Sequence, residues 1–313
     1  MSEITLTLPA SRPAAAASLD APIAADVAIV RGDSLEGLSA LTATHAGAVT
    51  LAYMDPPFFT GREHLMNSHA ARGKSPTVGF DDRWPDFATW LSHVRDRVAI
   101  MRELLAPHGS MVVHVDPKTS GYLRVLLDGV FGRDAFQSEI VWRYRRWPAR
   151  TPNFQRVHDV LLRWVRDPAE KPRFLQLYEP LAESTRRVWG EGKQRAVVSK
   201  EGRRMRSSTT DEPSPGVPMG DVWEIGIVAP SGKERTGYPT QKPEALATRL
   251  VSALAAPGEL VLDPTMGSGT MLVAAAALGR RAIGIDRSDE AIRIAQGRLA
   301  ARGVVAQMLG VVS

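Results

Sequence analysis

The 313-residue chain is 44% apolar and carries 39 Lys/Arg against 34 Asp/Glu, a formal net charge of +5. That length buries a sizeable core as one large domain or two smaller ones, and the absence of cysteine excludes disulfides, thiolate metal sites and cysteine nucleophiles together. No apolar run approaches the length that spans a bilayer, "LVAAAALG" being too short, so a soluble cytoplasmic protein with no membrane partner is expected.

In chain order, "MSEITLTLPASRPAAAASLDAPIAAD" has no basic stretch leading into an apolar core, so it is not expected to be a signal peptide. Its Ala/Pro richness predicts a disordered tail over residues 1–25. "DVAIVRGD" and "AVTLAYMD" are short apolar runs ending in an acid, which suits parallel strands buried on both faces. "DFATWLSHVRDRVAIMRELLAPHG" has helical spacing and a stop at Pro-His-Gly. "SMVVHVD" reads as the next strand, "GYLRVLLDGVFG" as a helix, and "EIVWRY" and "DVLLRWVR" as two further strands. After Asp167 the pattern dissolves, with "SSTTDEPSPGVPMG" plainly loop, and it resumes near "KPEALATRLVSALAAPGELVLDP". The expected architecture is α/β, a doubly wound, mostly parallel sheet interrupted by a basic insertion over residues 167–230.

Charge is uneven. Between Arg143 and Arg206 stand 17 Lys/Arg and 7 Asp/Glu, a local balance of +10 that leaves the remainder at −5. "WRYRRWPARTPNF" interleaves aromatics with Arg143, Arg145, Arg146 and Arg150. A charge run is often only a solvated face; its concentration in one stretch favours a polyanion-binding surface instead.

Two stretches carry chemistry. "YMDPPFFTG" puts Asp55 at a strand end, then stiffens the chain with Pro56 and Pro57, which fix φ and remove two donors. The result is a rigid rim of acceptors beside Phe58; the plainer reading is a strand-ending turn. "ELVLDPTMGSGTMLVAAAALGRRAIGID" is a strand ending in Asp263, a small-residue turn over Gly267, Ser268 and Gly269, a helix, and a second strand ending in Asp286. Such a unit brings a ligand against the glycine backbone, with the distal acid placed to accept from ribose hydroxyls. An acid at 263 repels a phosphate but suits an ammonium, which points to S-adenosylmethionine rather than a dinucleotide.

With these stretches in view, the chain resembles the β group of amino-methylating DNA methyltransferases, which make N6-methyladenine or N4-methylcytosine. "DPPF" (Asp55–Phe58) is similar to their Asp-Pro-Pro-Tyr motif, "DPTMGSGT" (Asp263–Thr270) to their cofactor loop, "GYPTQKP" (Gly237–Pro243) to the segment ahead of it, and "VRGDSLEGL" (Val30–Leu38) to their first strand and turn. The resemblance covers residues 26–166 and 231–313, read as the catalytic domain of a Rossmann-like methyltransferase with permuted motif order; residues 167–230 become its inserted target-recognition region. Phe58 stands where Tyr is more usual, keeping the ring and losing the hydroxyl. Thr265 and Met266 stand where the family carries an aromatic and a small residue, and Asp286 is a shorter acid than the usual Glu.

The resemblance implies a site-specific, S-adenosylmethionine-dependent methylation of adenine N6 in double-stranded DNA, the kind of activity found in restriction-modification. Asp55 and the Pro56 carbonyl would hold the amine hydrogens, Pro57 the rim, and Phe58 the flipped base. Asp33, Asp55, Lys242, Pro243, Asp263, Thr265, Gly267, Ser268, Gly269, Thr270 and Asp286 would bind the cofactor. Arg143, Arg145, Arg146 and Arg150 are the expected phosphate contacts, and no metal is expected. Asp33 reads equally as a helix cap, Lys242 as a solvated lysine, Asp116 as structural, and Phe59 as a core residue. Asp at the head of the Pro-Pro motif is more usual for adenine, Ser for cytosine. N4-cytosine methylation is the same-class alternative, an RNA or protein amide a further one, and a catalytically silent DNA-binding protein the different-class one. A bacterial or phage-type, nucleoid-associated setting is expected, with a homodimer and a cognate restriction endonuclease open as partners.

Overall fold

The computed structural model describes residues 17–66, 78–150, 152–200 and 202–312. They fall into two compact units: residues up to Leu175 together with those from Asp221 onward, and the segment Gln176–Gly220.

The larger unit runs β1 (Ser18–Leu19), β2 (Val27–Arg31), α1 (Ser34–His45), β3 (Val49–Met54), β4 (Glu63–Leu65), β5 (Val78–Asp81), α2 (Phe87–Leu104), β6 (Leu105–Val115), α3 (Ser120–Phe131), β7 (Phe136–Arg143) and β8 (His158–Val165). The smaller unit holds β9 (Tyr178–Glu179), α4 (Glu183–Trp189), the antiparallel pair β10 (Gly192–Val198) and β11 (Arg204–Pro213), and β12 (Val217–Pro218), which pairs with β9. The larger unit resumes with β13 (Val222–Glu224), α5 (Glu244–Leu254), β14 (Leu260–Asp263), α6 (Thr270–Ala277), β15 (Arg281–Asp286), α7 (Asp289–Ala300) and β16 (Gln307–Val312). Residues 167–175 and 221–230, expected within the insertion, belong by structure to the larger unit, where β13 pairs with β7.

One sheet organises the larger unit, in the order β1-β16-β2-β15-β14-β3-β6-β8-β7-β13. From β16 to β6 the pairing is parallel. Both faces of that stretch are covered, which is why β3 reads VTLAYM and β14 LVLD without polar alternation. β8 is antiparallel to both β6 and β7, so β7 again points the same way as β6. The carboxyl ends of β2, β3, β6, β7, β14 and β15 therefore share one edge of the sheet, where ligands of open α/β sheets bind.

Two local departures have physical causes. Helix α2 stops at Leu104 rather than continuing to Pro-His-Gly, and the chain enters β6 at once. Pro107 cannot donate to a ladder, and the β3–β6 register slips between the Val49–Leu105 and Leu51–Ser110 pairs. Residues 1–16 of the expected tail lie outside the described residues, but Ser18 and Leu19 pair with Val312 and Val311 as an edge strand. Alternating Leu19 against an unpaired sheet edge outweighs the Ala/Pro composition around it.

Candidate active site

The carboxyl edge opens into a cleft of about 1050 Å³, lined among others by Asp33, Asp55, Pro56, Pro57, Phe58, Lys242, Asp263, Thr265, Gly267, Ser268, Thr270 and Asp286. The motifs expected to act together do share one cavity. Pro243 and Gly269 do not line it; they are the N-cap residues of α5 and α6.

Asp55 follows β3. Its amide donates to Thr265 Oγ1 at 3.0 Å, and its Oδ2 accepts from Lys242 Nζ. Oδ1 is buried without a hydrogen-bond partner; His114 Nδ1 stands 3.6 Å from it, beyond hydrogen-bond distance. Trp90 Nε1 donates to the Pro57 carbonyl at 2.7 Å, which pins the double proline and leaves Pro56 out of that bond. The Phe58 ring meets His114 edge-on at 5.5 Å, and Lys242 Nζ lies 5.3 Å from its centroid.

Just beyond, Phe59 is left-handed, with φ +57°. The expectation that it packs in the core is not met: it is 37% exposed, resting on Phe87 and Trp90. What holds this backbone is Asp82, fully buried, which accepts from the amides of Phe59 (3.0 Å) and Thr60 (2.8 Å), from Thr60 Oγ1 (2.5 Å) and from Trp84 Nε1 (3.1 Å). A second left-handed non-glycine residue, Thr240 at φ +56°, precedes Lys242. There the Gln241 side chain accepts from Thr236 N and Oγ1, both 2.9 Å, and donates to Glu234 O at 2.7 Å.

On the cofactor-loop side, Asp263 Oδ1 accepts from Thr265 N at 3.0 Å. Burial pushes its carboxyl up to about 8, with Asp55 and Asp286 adding repulsion and the Thr265 amide opposing. Asp286, raised likewise by burial, accepts from Gly267 N (2.9 Å) and Ser288 N (2.8 Å). Gly267 (φ +49°) and Gly269 (φ +73°) take the left-handed turn. A Cβ on Gly267 would come 2.8 Å from the Tyr238 ring, and one on Gly269 2.7 Å from Ala295 Cβ.

Several site residues went unseen in the sequence. Arg298 of α7 is buried and donates to Ser268 O (2.7 Å), Thr270 Oγ1 (2.9 Å) and Glu244 Oε1 (2.9 Å), tying the loop to two helices. Arg97 of α2 donates to Asp33 (3.1 Å) and Ser34 Oγ (2.6 Å) and lines the cleft. Beside it, burial and then Arg97 push His93 down to about 3. An arginine on an amphipathic helix gives no signal of this. His114, a lone polar residue inside the apolar strand MVVHVD, was the one legible hint. Asp33 does cap α1, accepting from Leu35 N at 2.8 Å, and it also lines the cleft. Asp116 closes the turn into α3 and pairs with Arg156.

The basic segment between β7 and β8 leaves the same carboxyl edge. Arg145, Arg146 and Arg150 are exposed, as are Trp147 and Phe154, whereas Arg143 pairs with Glu224. None of the four arginines lines the cleft. Among the described residues no cluster suits a metal ion, and no helix is long and apolar enough to cross a membrane.

Comparison with known proteins gives the same picture from outside. Residues 49–297 match the N6/N4 DNA methylase family model. The type II methyltransferase M.HpaI of Haemophilus parainfluenzae is 27% identical over 84% of this chain and 71% of its own length. The DNA adenine methyltransferase YhdJ of Escherichia coli K12 is 27% identical over 87% and 82%. Among solved structures, the putative DNA modification methylase TTHA0409 of Thermus thermophilus superposes with a TM-score of 0.54 at 20% identity, covering 90% of this chain and 99% of that one. The PvuII cytosine-N4-specific methyltransferase superposes with a TM-score of 0.54 at 13% identity, covering 86% and 85%. These likenesses show the shared α/β fold.

Proposed function

The chain belongs to the N6/N4 DNA methylase family, and from that premise we propose that it transfers a methyl group from S-adenosylmethionine to N6 of a flipped adenine in double-stranded DNA. The observation that carries the reading is Asp55 Oδ1, a buried carboxylate oxygen without a partner, in the same cleft as the Gly267–Ser268 turn and Asp286.

The residues present suit that cofactor. The small-residue turn leaves room for a ligand against the backbone, and the Asp286 oxygens keep lone pairs for ribose hydroxyls beyond the two amides they accept. Asp263 is a buried acid awaiting a positive partner. Thr265, which replaces the family's aromatic, supports activity rather than silence, because its hydroxyl ties Asp55 to Asp263. When bound, S-adenosylmethionine supplies an electrophilic methyl group on sulfur.

An exocyclic amine is a poor nucleophile because its lone pair is delocalised into the ring. Asp55 Oδ1 accepts one N–H and the Pro56 carbonyl the other, so nitrogen pyramidalises and its lone pair becomes available. Lys242 keeps the other Asp55 oxygen occupied, so the carboxylate meets the amine through one atom. The rim is preorganised by Trp90 and Asp82, with little reorganisation left for the reaction. Phe58 offers a face to the base, a contact of roughly 1–3 kcal/mol. A paired base cannot reach this rim, so flipping at a cost of a few kcal/mol is part of the reading. Arg145, Arg146 and Arg150 meet phosphates, which makes binding fall steeply with salt. The Gln176–Gly220 unit is the target-recognition region of this reading.

The test is to incubate the protein with unmethylated genomic DNA and labelled S-adenosylmethionine, digest to nucleosides and identify the labelled one. Label in N6-methyladenosine that drops at least about a hundredfold with Asp55→Ala supports the reading. Label in N4-methylcytosine keeps the mechanism and overturns the base. Absence of label in the wild-type protein overturns the enzyme.

A further inference from the structure

Behind Asp55 lies a buried polar chain that the methyl-transfer step itself does not use. His114, the next-to-last residue of β6, is fully buried. Its Nδ1 is 2.9 Å from Tyr53 Oη and 3.6 Å from Asp55 Oδ1, while its Nε2 is 3.5 Å from Asp159 Oδ2 on β8. Asp159 Oδ1 in turn accepts from Tyr144 Oη at 3.1 Å. Edge-on contacts to Phe58 at 5.5 Å and Trp142 at 5.4 Å hold the imidazole in this plane. Trp142 is itself anchored by a 2.8 Å bond to Ile225 O. Two of the buried atoms without a hydrogen-bond partner, Asp55 Oδ1 and His114 Nε2, belong to this one chain. Leaving such groups unmet costs stability, and an aliphatic residue at 114 would fill the sheet face without that cost. Unmet buried polar groups of this kind call for a functional account.

We propose that His114 carries the proton of the target amine away from Asp55 towards Asp159 and Tyr144, at the root of the basic segment between β7 and β8. This proton route presupposes the methyl transfer described above. Methylation leaves the exocyclic nitrogen with one hydrogen too many. That N–H bond breaks, nitrogen keeps the electron pair, and the proton passes to Asp55 Oδ1. The new O–H bond breaks as His114 Nδ1 takes the proton, the Tyr53 hydroxyl hydrogen rotating off that lone pair, and the Nε2–H proton moves to Asp159 Oδ2. No electron is gained or lost; Asp159 ends protonated and His114 in its other tautomer, and both reset once Asp159 releases the proton to water and the ring hydrogen returns to Nε2. The ground state is set for this direction. Burial, with Asp55, Asp263 and Asp159 adding to it, holds Tyr53 in its protonated form. The Asp159 carboxylate 3.5 Å from Nε2 favours the tautomer with the ring hydrogen on Nε2, and in that tautomer the Tyr53 hydroxyl donates to Nδ1. Burial opposes the charge on Asp159, but His114, Lys242 and Tyr144 outweigh it and keep the carboxylate below its usual range, so a proton that reaches Asp159 is passed on rather than held. His114 acts through Asp55 and is a positioning residue, not one that touches the base. The titratable groups around it are Tyr53 and Asp55 at the end of β3, Asp159 on β8, Tyr144 after β7, and Lys242 ahead of α5.

The experiment measures single-turnover methylation of a duplex from pH 6 to 9 by wild-type, His114→Gln, His114→Ala and Asp159→Asn proteins. Melting temperature, S-adenosylmethionine binding and DNA binding are measured on the same samples. The expected result is a rate lowered about tenfold or more at neutral pH in His114→Gln, with both affinities unchanged. The deficit should shrink as pH rises, the solvent deuterium isotope effect should grow, and added imidazole should restore part of the rate in His114→Ala. Asp159→Asn should displace the pH profile without lowering cofactor affinity. A wild-type pH profile and isotope effect in His114→Gln overturns the proton route while leaving the methyltransferase reading intact, and so does a rate loss equal at every pH and indifferent to imidazole. An inactive wild-type protein overturns both.

Discussion

On the side of the cleft built from β14 and α6, the chain turns left-handed at Gly267 and Gly269; on the side that follows β3 and precedes α5, it does so at Phe59 and Thr240. Glycine enters that region at no steric cost. A residue with a Cβ loses about 1–2 kcal/mol there, and persists only where neighbours over-determine it. Asp82 does this for Phe59, and the Gln241 side chain does it for the Thr240 turn. The acids differ in the same way. Asp55 already has a cation in Lys242, whereas Asp263 is buried among other acids and is held neutral near pH 7. One side is therefore a relaxed cradle around a neutral acid; the other is a strained rim fixed in advance.

Removing the clamp should give the largest effect. Asp82→Ala leaves two amides, a hydroxyl and an indole N–H without their buried acceptor. A loss of about 3–5 kcal/mol in urea unfolding is expected, with methylation falling much further than S-adenosylmethionine affinity. Equal losses in both would mean that the two sides are not separately built. On the glycine side, Gly269→Ala places a Cβ 2.7 Å from Ala295 Cβ at φ +73°. A loss of about 2–3 kcal/mol is expected from conformation and overlap together. Gly267→Ala meets only the edge of the Tyr238 ring, so it should cost less stability and weaken cofactor binding instead.

The glycine side was legible in the sequence because its determinants are local. Strand, small-residue turn, helix and distal acid follow one another within a few dozen residues, and each is dictated by its own backbone need. The Pro-Pro rim was half legible: Asp55 and its prolines announce rigidity, but nothing in "FDDRWPDF" says which aspartate reaches back to Phe59 and Thr60. Arg298 and Arg97 were beyond reach for the same reason, and His114 showed only as a polar residue in an apolar strand, since their partners are set by how helices and strands pack across the sheet. The antiparallel placement of β8 was equally hidden, because an apolar strand buried on both faces carries no mark of direction.

The neutral acid gives a pH signature whose change per pH unit is of intermediate size. Asp263 titrates near 8 in the folded chain, well above its ordinary value in the unfolded one. Below about pH 4 both states hold the proton and the group contributes nothing. Between about pH 4 and 8 the folded state binds more protons than the unfolded, so stability falls by up to about 1.4 kcal/mol per pH unit from this group and levels off above 8. Asp263→Asn should remove that slope from urea unfolding curves of the ligand-free protein and make it the more stable form at pH 8. A bound S-adenosylmethionine should flatten the slope in the wild type by favouring the ionised acid. An unchanged slope in the variant would show Asp263 already ionised, and with it the claim of an unmet charge would fall.

The smallest expected effect is the most diagnostic of the strained side. At an ordinary position, glycine is less stable than alanine by about 0.5–1 kcal/mol, because the unfolded chain has more freedom to lose. At Phe59 both substitutions give up the ring's contacts with Phe87 and Trp90, at 5.2 and 6.0 Å. They differ only in whether φ +57° is strained. Phe59→Gly should therefore be more stable than Phe59→Ala by about 1 kcal/mol, the reverse of the usual order. The glycine protein should nevertheless methylate a few-fold more slowly than the wild type, because a relaxed loop no longer holds the Pro-Pro rim so tightly against Asp82. If alanine matched or exceeded glycine in urea unfolding, the left-handed turn would not be the conformation that Asp82 holds in solution, and the contrast between the two sides of the cleft would reduce to one of charge.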